Sequence, residues 1–292
     1  MPQKIAVVDA FTARPYGGNP AGVCVLSASA PNGDLDAWMQ SVAIEMNHAE
    51  TAYLVRDGDG YNLRWFTPGG EVDLCGHATL ASAHFLWESG QLGPDEQARF
   101  STRSGLLTAD RLTIDGEPWI ELDFPAEPAK QIRPPSGLAS VLGAEPVWVG
   151  KNRMDYLVEL KDDATVRALV PDLKAVAALS IAENARGIIV TAAASDGPAD
   201  VVSRCFYPRL RIDEDPVTGS AHCAIAPYWS SRLNKPELIA YQASARGGWL
   251  RLRLAGDRVK LRGQAVTTLR GELAYGSADL REPAAAAVLT RA

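Results

Sequence analysis

No stretch of the sequence approaches the ~20 consecutive apolar residues that a membrane-spanning helix needs. The opening run Met1–Phe11 leads into a strand-like segment with no signal-peptide pattern, so a cytoplasmic protein without a membrane role is expected. Cysteine is scarce: Cys24, Cys75, Cys205 and Cys223 form no Cys-x-x-Cys pair and no disulfide framework, which points to reduced thiols. There is no basic run. The net charge is −6 with acids and bases interspersed, which argues against a nucleic-acid surface. No Gly-x-Gly-x-x-Gly or Walker-type loop occurs, so no nucleotide cofactor is indicated, and no Gly-x-Ser-x-Gly elbow marks a serine nucleophile. Of the four histidines, His77 and His84 share a helix face, but no carboxylate at the right spacing completes a zinc-type set, so no metal is expected.

What the chain does have is a repeat of its own pattern. Arg64-Trp65-Phe66-Thr67-Pro68 runs into Gly76-His77-Ala78 and a helix of small residues; Arg204-Cys205-Phe206-Tyr207-Pro208 runs into Gly219-Ser220-Ala221 and a similar helix. Each glycine is followed 29 residues later by another, Gly105 or Gly248, that opens an alternating hairpin. Asp34 and Asp172 begin matching helical stretches. An internal duplication of this period predicts two like halves, residues 1–124 and 125–292, with the last strand free to return to the first half. The four prolines between Phe124 and Pro135 read as the linker. Many strands with one long helix per half give an α+β fold, each half a curled sheet around a central helix, with the natural site in the cleft between the Gly76 and Gly219 helix starts.

Those starts offer unpaired backbone N–H groups and the positive ends of helix dipoles, which suit a carboxylate. A lone glycine would be read as a packing residue; the matched pair, each followed by a polar residue (His77, Ser220), favours a site. Aligning the halves places Glu50 against Arg186-Gly187, so only the first half has a carboxylate at that strand mouth. One such group suits a general acid/base, although a surface glutamate fits the position as well. At the first turn of its helix, His77 is expected to stay neutral. Asp213-Glu214-Asp215 precede Gly219 and could raise one another's pKa, or form a solvated loop.

Four ordered motifs carry a family resemblance: Val8–Phe11 with Gly18-Asn19-Pro20-Ala21-Gly22-Val23, Glu45–Thr51, Leu74–Thr79, and Asp213–Ala221. Together they resemble the phenazine-biosynthesis isomerase (PhzF-like) family over nearly the whole chain. The Gln242–Gly248 stretch is similar to the broadly distributed phenazine-biosynthesis-like proteins. The resemblance implies a diaminopimelate-epimerase-like fold, no metal, no organic cofactor and a homodimer. It implies Glu50 as acid/base, His77 and Asp215 as further catalytic residues, and Asn19, Gly76, Gly219 and Ser220 as binders of a small carboxylate substrate. The implied reaction is proton transfer between carbons, as in trans-2,3-dihydro-3-hydroxyanthranilate isomerisation. Related racemases use a thiol on each side; here Cys75 matches one, while Pro216 and Val217 stand near the place of the other. A racemase or epimerase would draw its second base from Cys75, Asp215 or His77. A non-catalytic binding protein on the same fold is the third reading.

Overall fold

The computed structural model describes residues 3–26 and 35–276. Its first half comprises β1 (Gln3–Ala10), β2 (Asn19–Leu26), α1 (Leu35–Met46), β3 (Glu50–Asp57), β4 (Gly60–Thr67), β5 (Gly70–Val72), α2 (Gly76–Glu88), β6 (Ala98–Thr102), β7 (Gly105–Ile114) and β8 (Glu117–Pro125). There follow β9 (Lys130–Gln131), α3 (Leu138–Leu142), β10 (Trp148–Lys151), β11 (Tyr156–Glu159), α4 (Asp163–Ala168), α5 (Leu173–Ala182), β12 (Ile188–Ala193) and β13 (Val201–Tyr207). The chain continues with β14 (Ile212–Asp215), α6 (Gly219–Leu233), β15 (Glu237–Gln242), β16 (Gly248–Ala255), β17 (Arg258–Gly263) and β18 (Ala265–Leu273).

The strand pairing repeats. In the first half β2 lies parallel to β3 and β4 parallel to β6; in the second, β11 lies parallel to β12 and β13 parallel to β15. Parallel neighbours need a crossover, and helices supply it each time: α1 and α2 in one half, α4 with α5 and then α6 in the other. β8 pairs with β17, joining the two curled sheets, and β18 pairs with β1. The likeness reaches single side chains. Arg64 forks onto Glu71 with Nε–Oε1 and Nη2–Oε2 both 2.7 Å, and Arg204 forks onto Glu214 at 2.7 and 2.9 Å. Each guanidinium also lies 5.1 Å from the ring of the phenylalanine two residues on, Phe66 or Phe206.

The crossover helices α2 and α6 are the enclosed ones. Ala78, Thr79, Leu80, Ala81, Ser82, Ala83 and Leu86 of α2 are buried, as are Ala221, His222, Cys223, Ala224, Ile225 and Ala226 of α6. A helix buried on most faces loses its amphipathic stripe, and small side chains let the sheet close around it. The proposed Asp34 cap lies outside the described residues. The proline-rich linker is docked rather than loose: Ala126 N donates to Asp257 O, Glu127 N to Cys223 O, and β9 pairs with β10. Proline's missing donor confines such a run to sheet edges and does not free it from the fold.

Candidate active site

The two helix starts meet. A β-carbon built on Gly76 would lie 3.3 Å from Gly219 Cα, and one built on Gly219 would lie 3.3 Å from Gly76 Cα. The packing reading of these glycines and the site reading both call on this close approach. Without side chains, two sets of unpaired amides and two positive dipole ends come to one place. A cavity of about 30 Å³ lies there, bordered by Gly76 and Ser220, large enough for a water-sized group. A larger cavity of about 550 Å³ borders Asn19, Ala49 and Pro216.

The sheet register gathers the side chains. β2 begins at Asn19 and β3 at Glu50, and parallel pairing sets Glu50 opposite Ala21, so both polar residues open at one end of adjacent strands. His77 is the second residue of α2, and its Nε2 lies 3.2 Å from Glu50 Oε2; the two side chains are 5% and 12% exposed. The contact lacks hydrogen-bond alignment, leaving both atoms buried and without a hydrogen-bond partner. On the other ring nitrogen, Nδ1 is 3.1 Å from Asn19 Nδ2 and 3.5 Å from Cys75 Sγ. An amide N–H and a neutral thiol are both donors there. Nδ1 is thus assigned as acceptor, which puts the ring proton on Nε2, facing Glu50.

Asp215, the last residue of β14, completes the cluster from the second half. Asn19 Nδ2 donates to its Oδ1 at 2.8 Å and Thr218 Oγ1 to its Oδ2 at 2.5 Å. Asn19 Nδ2 also reaches Val217 O at 2.9 Å, so two amide hydrogens face three acceptors, while Asn19 Oδ1 has no hydrogen-bond partner. Gln242 clamps the turn, donating to Asp215 O and accepting from Thr218 N. Of the acidic trio, Asp213 is exposed and Glu214 is committed to Arg204; only Asp215 turns inward. Ser220, second in α6, has no base beside it. Its Oγ accepts from Arg186 Nη2 at 2.9 Å.

Burial sets the protonation pattern. It pushes Glu50 up to about 8, with the Asp215 charge adding to the rise and Cys75 and Arg186 opposing it. It raises Asp215 to about 6, against the pull of Thr218, Asn19 and Arg186. It lowers His77 to about 3, helped by His48, and drives the Cys75 thiol well above its ordinary range. At neutral pH the cluster holds a largely protonated Glu50, a largely ionised Asp215, a neutral imidazole and a neutral thiol. Titratable neighbours driven apart in this way are a signature of acid/base sites.

The absence of a metal-ligand set in the sequence needs one correction. Glu50, Cys75 and His77 bring ligand-type atoms within 4.8 Å of one another. Spacing rules miss this set because a strand mouth and a helix start, far apart in sequence, supply it. The nearest contacts are Glu50 Oε2 at 3.2 Å from Nε2 and Cys75 Sγ at 3.5 Å from Nδ1 of the imidazole. His84 stands apart, with its Nε2 3.8 Å from Glu88. Thr218, Gln242, Asp155 and Arg186 went unassigned in the sequence. Thr218 and Gln242 lie in the motif stretches quoted above and Arg186 aligns with Glu50, while Asp155 carried no signal.

The fold is that of the diaminopimelate-epimerase-like class. The phenazine biosynthesis-like protein family (PhzC-PhzF) matches residues 8–271, and the chain belongs to it. An uncharacterized isomerase of Halalkalibacterium halodurans is 52% identical over 274 residues, covering 94% of this chain and 99% of that protein. The crystal structure of a PhzF-family phenazine biosynthesis protein from Enterococcus faecalis is 41% identical, with a TM-score of 0.86 over 94% of this chain and 99% of that one. A hydroxyproline epimerase from Agrobacterium vitis shares the fold alone, at 14% identity and TM-score 0.62 over 93% and 92% of the two chains. Among the described residues, no helix is long and apolar enough to cross a membrane.

Proposed function

We propose that the protein moves a carbon-bound proton within a small carboxylate substrate, with Glu50 as the single acid/base and no metal or organic cofactor. The observation that carries this reading is Glu50 itself: a buried carboxyl, raised to about 8, beside His77 at the meeting point of two helix starts. A carboxyl with a pKa near the working pH can both take and return a proton. Removing a proton next to a conjugated or carbonyl system leaves negative charge on the substrate. The His77 Nε2–H and the amides after Gly76 and Gly219 are donors already oriented for it. The substrate carboxylate sits at the helix starts. Family resemblance makes trans-2,3-dihydro-3-hydroxyanthranilate the model substrate.

A racemase would need a second base on the opposite face of the substrate. Cys75 is poorly suited to that role, because burial drives its thiol well above its ordinary range and keeps it neutral, beside His77 Nδ1. The test is NMR in heavy water on a panel of small carboxylates that includes cyclic amino acids. The expected result is a shifted double bond with deuterium at the receiving carbon. Deuterium incorporation with inversion and no shift would replace isomerase by racemase. Binding with complete inertness across the panel would favour a binding protein.

A further inference from the structure

At the mouth of β3 the first half places a carboxyl, Glu50. Its counterpart in the second half is a cation. Arg186 sits two residues before β12, is about three-quarters buried, and is held on three sides. Its Nε donates to Asp155 Oδ1 at 3.0 Å and its Nη2 donates to Asp155 Oδ2, while Asp155 itself is only 1% exposed. The guanidinium lies over the Tyr207 ring, 4.8 Å from its centroid. The same Nη2 donates to Ser220 Oγ, which spends both of its hydrogens. Among the described residues, Nη1 makes no hydrogen bond. The charge also reaches the cluster, lowering both Glu50 and Asp215.

A serine hydroxyl has one hydrogen and two lone pairs. Once Oγ accepts from a fixed cation, its own hydrogen turns away from Arg186. Ser220 borders the cavity at the helix starts, so that hydrogen becomes a donor available there. An anion is favoured in this setting and a neutral amide is not, because a donor backed by a full positive charge strengthens with the charge on its acceptor. His77, the second residue of α2, is 5% exposed, and its Nε2, facing Glu50, lacks a hydrogen-bond partner, so the helix starts adjoin a buried polar atom left for a ligand.

We infer that Arg186, oriented by Asp155, is a positioning residue that fixes Ser220 as a hydrogen-bond donor at the helix starts, where it favours a carboxylate oxygen over that of a neutral amide. This rests on the reading that the substrate carboxylate sits at those helix starts. It adds that selection of the anion belongs to the second half, while proton transfer belongs to the first.

The test is NMR titration of the full-length, ¹⁵N-labelled protein with benzoate and acetate, and with their neutral counterparts benzamide and acetamide. The amide signals of Gly76, His77, Gly219 and Ser220 report binding. Arg186→Lys keeps a charge against Asp155 but loses the fork. Arg186→Met combined with Asp155→Asn removes the charged pair together, so that no buried charge is stranded. The double variant should bind the carboxylates roughly 10- to 100-fold more weakly while amide binding is unchanged. Arg186→Lys should fall between. Ser220→Ala should weaken carboxylate binding in the wild type and add little in either Arg186 background. An unchanged carboxylate preference, an equal loss for acids and amides, or strict additivity with Ser220→Ala would overturn the inference. If the double variant does not fold, the Arg186→Lys and Ser220→Ala cycle decides by the same additivity criterion. Wild-type protein whose four signals ignore both carboxylates would defeat the helix-start reading as well. Normal wild-type binding with unaffected variants would defeat this inference alone.

Discussion

Gly76 and Gly219 touch backbone to backbone, with 3.3 Å between the Cα of either and a β-carbon placed on the other. The neighbour on each side is main chain, which can yield only if a whole helix moves. Gly76→Ala or Gly219→Ala should therefore cost about 1–3 kcal/mol of stability and lower proton-transfer activity further by parting the two amide sets. Thermal unfolding and exchange rates check this. A variant with full activity would show that the close approach of the helix starts does not matter to the site.

The pH dependence follows from Glu50. As a base it must be ionised, so kcat/KM should rise with pH and level off above about 8. Asp215→Asn should move that limb to lower pH, because the Asp215 charge helps raise Glu50. A limb unmoved by this change would uncouple the two carboxyls.

Stability should carry the same signature with opposing signs. Glu50 has a folded pKa of about 8, above its ordinary 4.5, so the stability tied to its protonated form is complete below 4.5 and lost as pH rises through 8. His77 goes the other way, from 6.5 down to about 3, so its contribution is present above 6.5 and lost as pH falls through 3. Glu50→Gln should flatten the fall on the alkaline side in a denaturation series across pH. A slope identical to wild type would show that Glu50 titrates in its ordinary range.

Cys75→Ala should keep most of the exchange activity while shifting the rising limb to higher pH, since the neighbouring thiol lowers Glu50. A loss as deep as that from removing Glu50 would make Cys75 a second base and point to a racemase.

Treatment with a chelator should leave activity and melting temperature unchanged, although Glu50, Cys75 and His77 are of metal-ligand type and close together. Activity that is lost on chelation and restored by zinc would turn the cluster into a metal site.

The parts of this architecture legible in the sequence are those carried by repetition. The Arg64 and Arg204 segments, the two glycine-led helices and the paired hairpins announce themselves because duplication preserves order and spacing. Less legible was whatever depends on which strands become neighbours. Gln242 reaches the Asp215 turn because β15 lies parallel to β13, a pairing that leaves no local mark. The proline-rich segment read as a linker because its partners, β10, Asp257 and Cys223 of α6, lie further along the chain. Arg186 was visible, but as the place where a carboxylate was missing rather than where a cation stands.

The central claim, that Glu50 alone carries the proton, is tested most directly by deuterium wash-in at the labile carbon of a carboxylate that the wild-type protein turns over. Glutamine closely matches the protonated glutamic acid that the buried site favours, so Glu50→Gln should fold with an unchanged melting temperature at neutral pH. The expected result is a fall in wash-in of about 10²- to 10⁴-fold. Wash-in at the wild-type rate in a folded Glu50→Gln protein would contradict the claim and remove Glu50 from the chemistry.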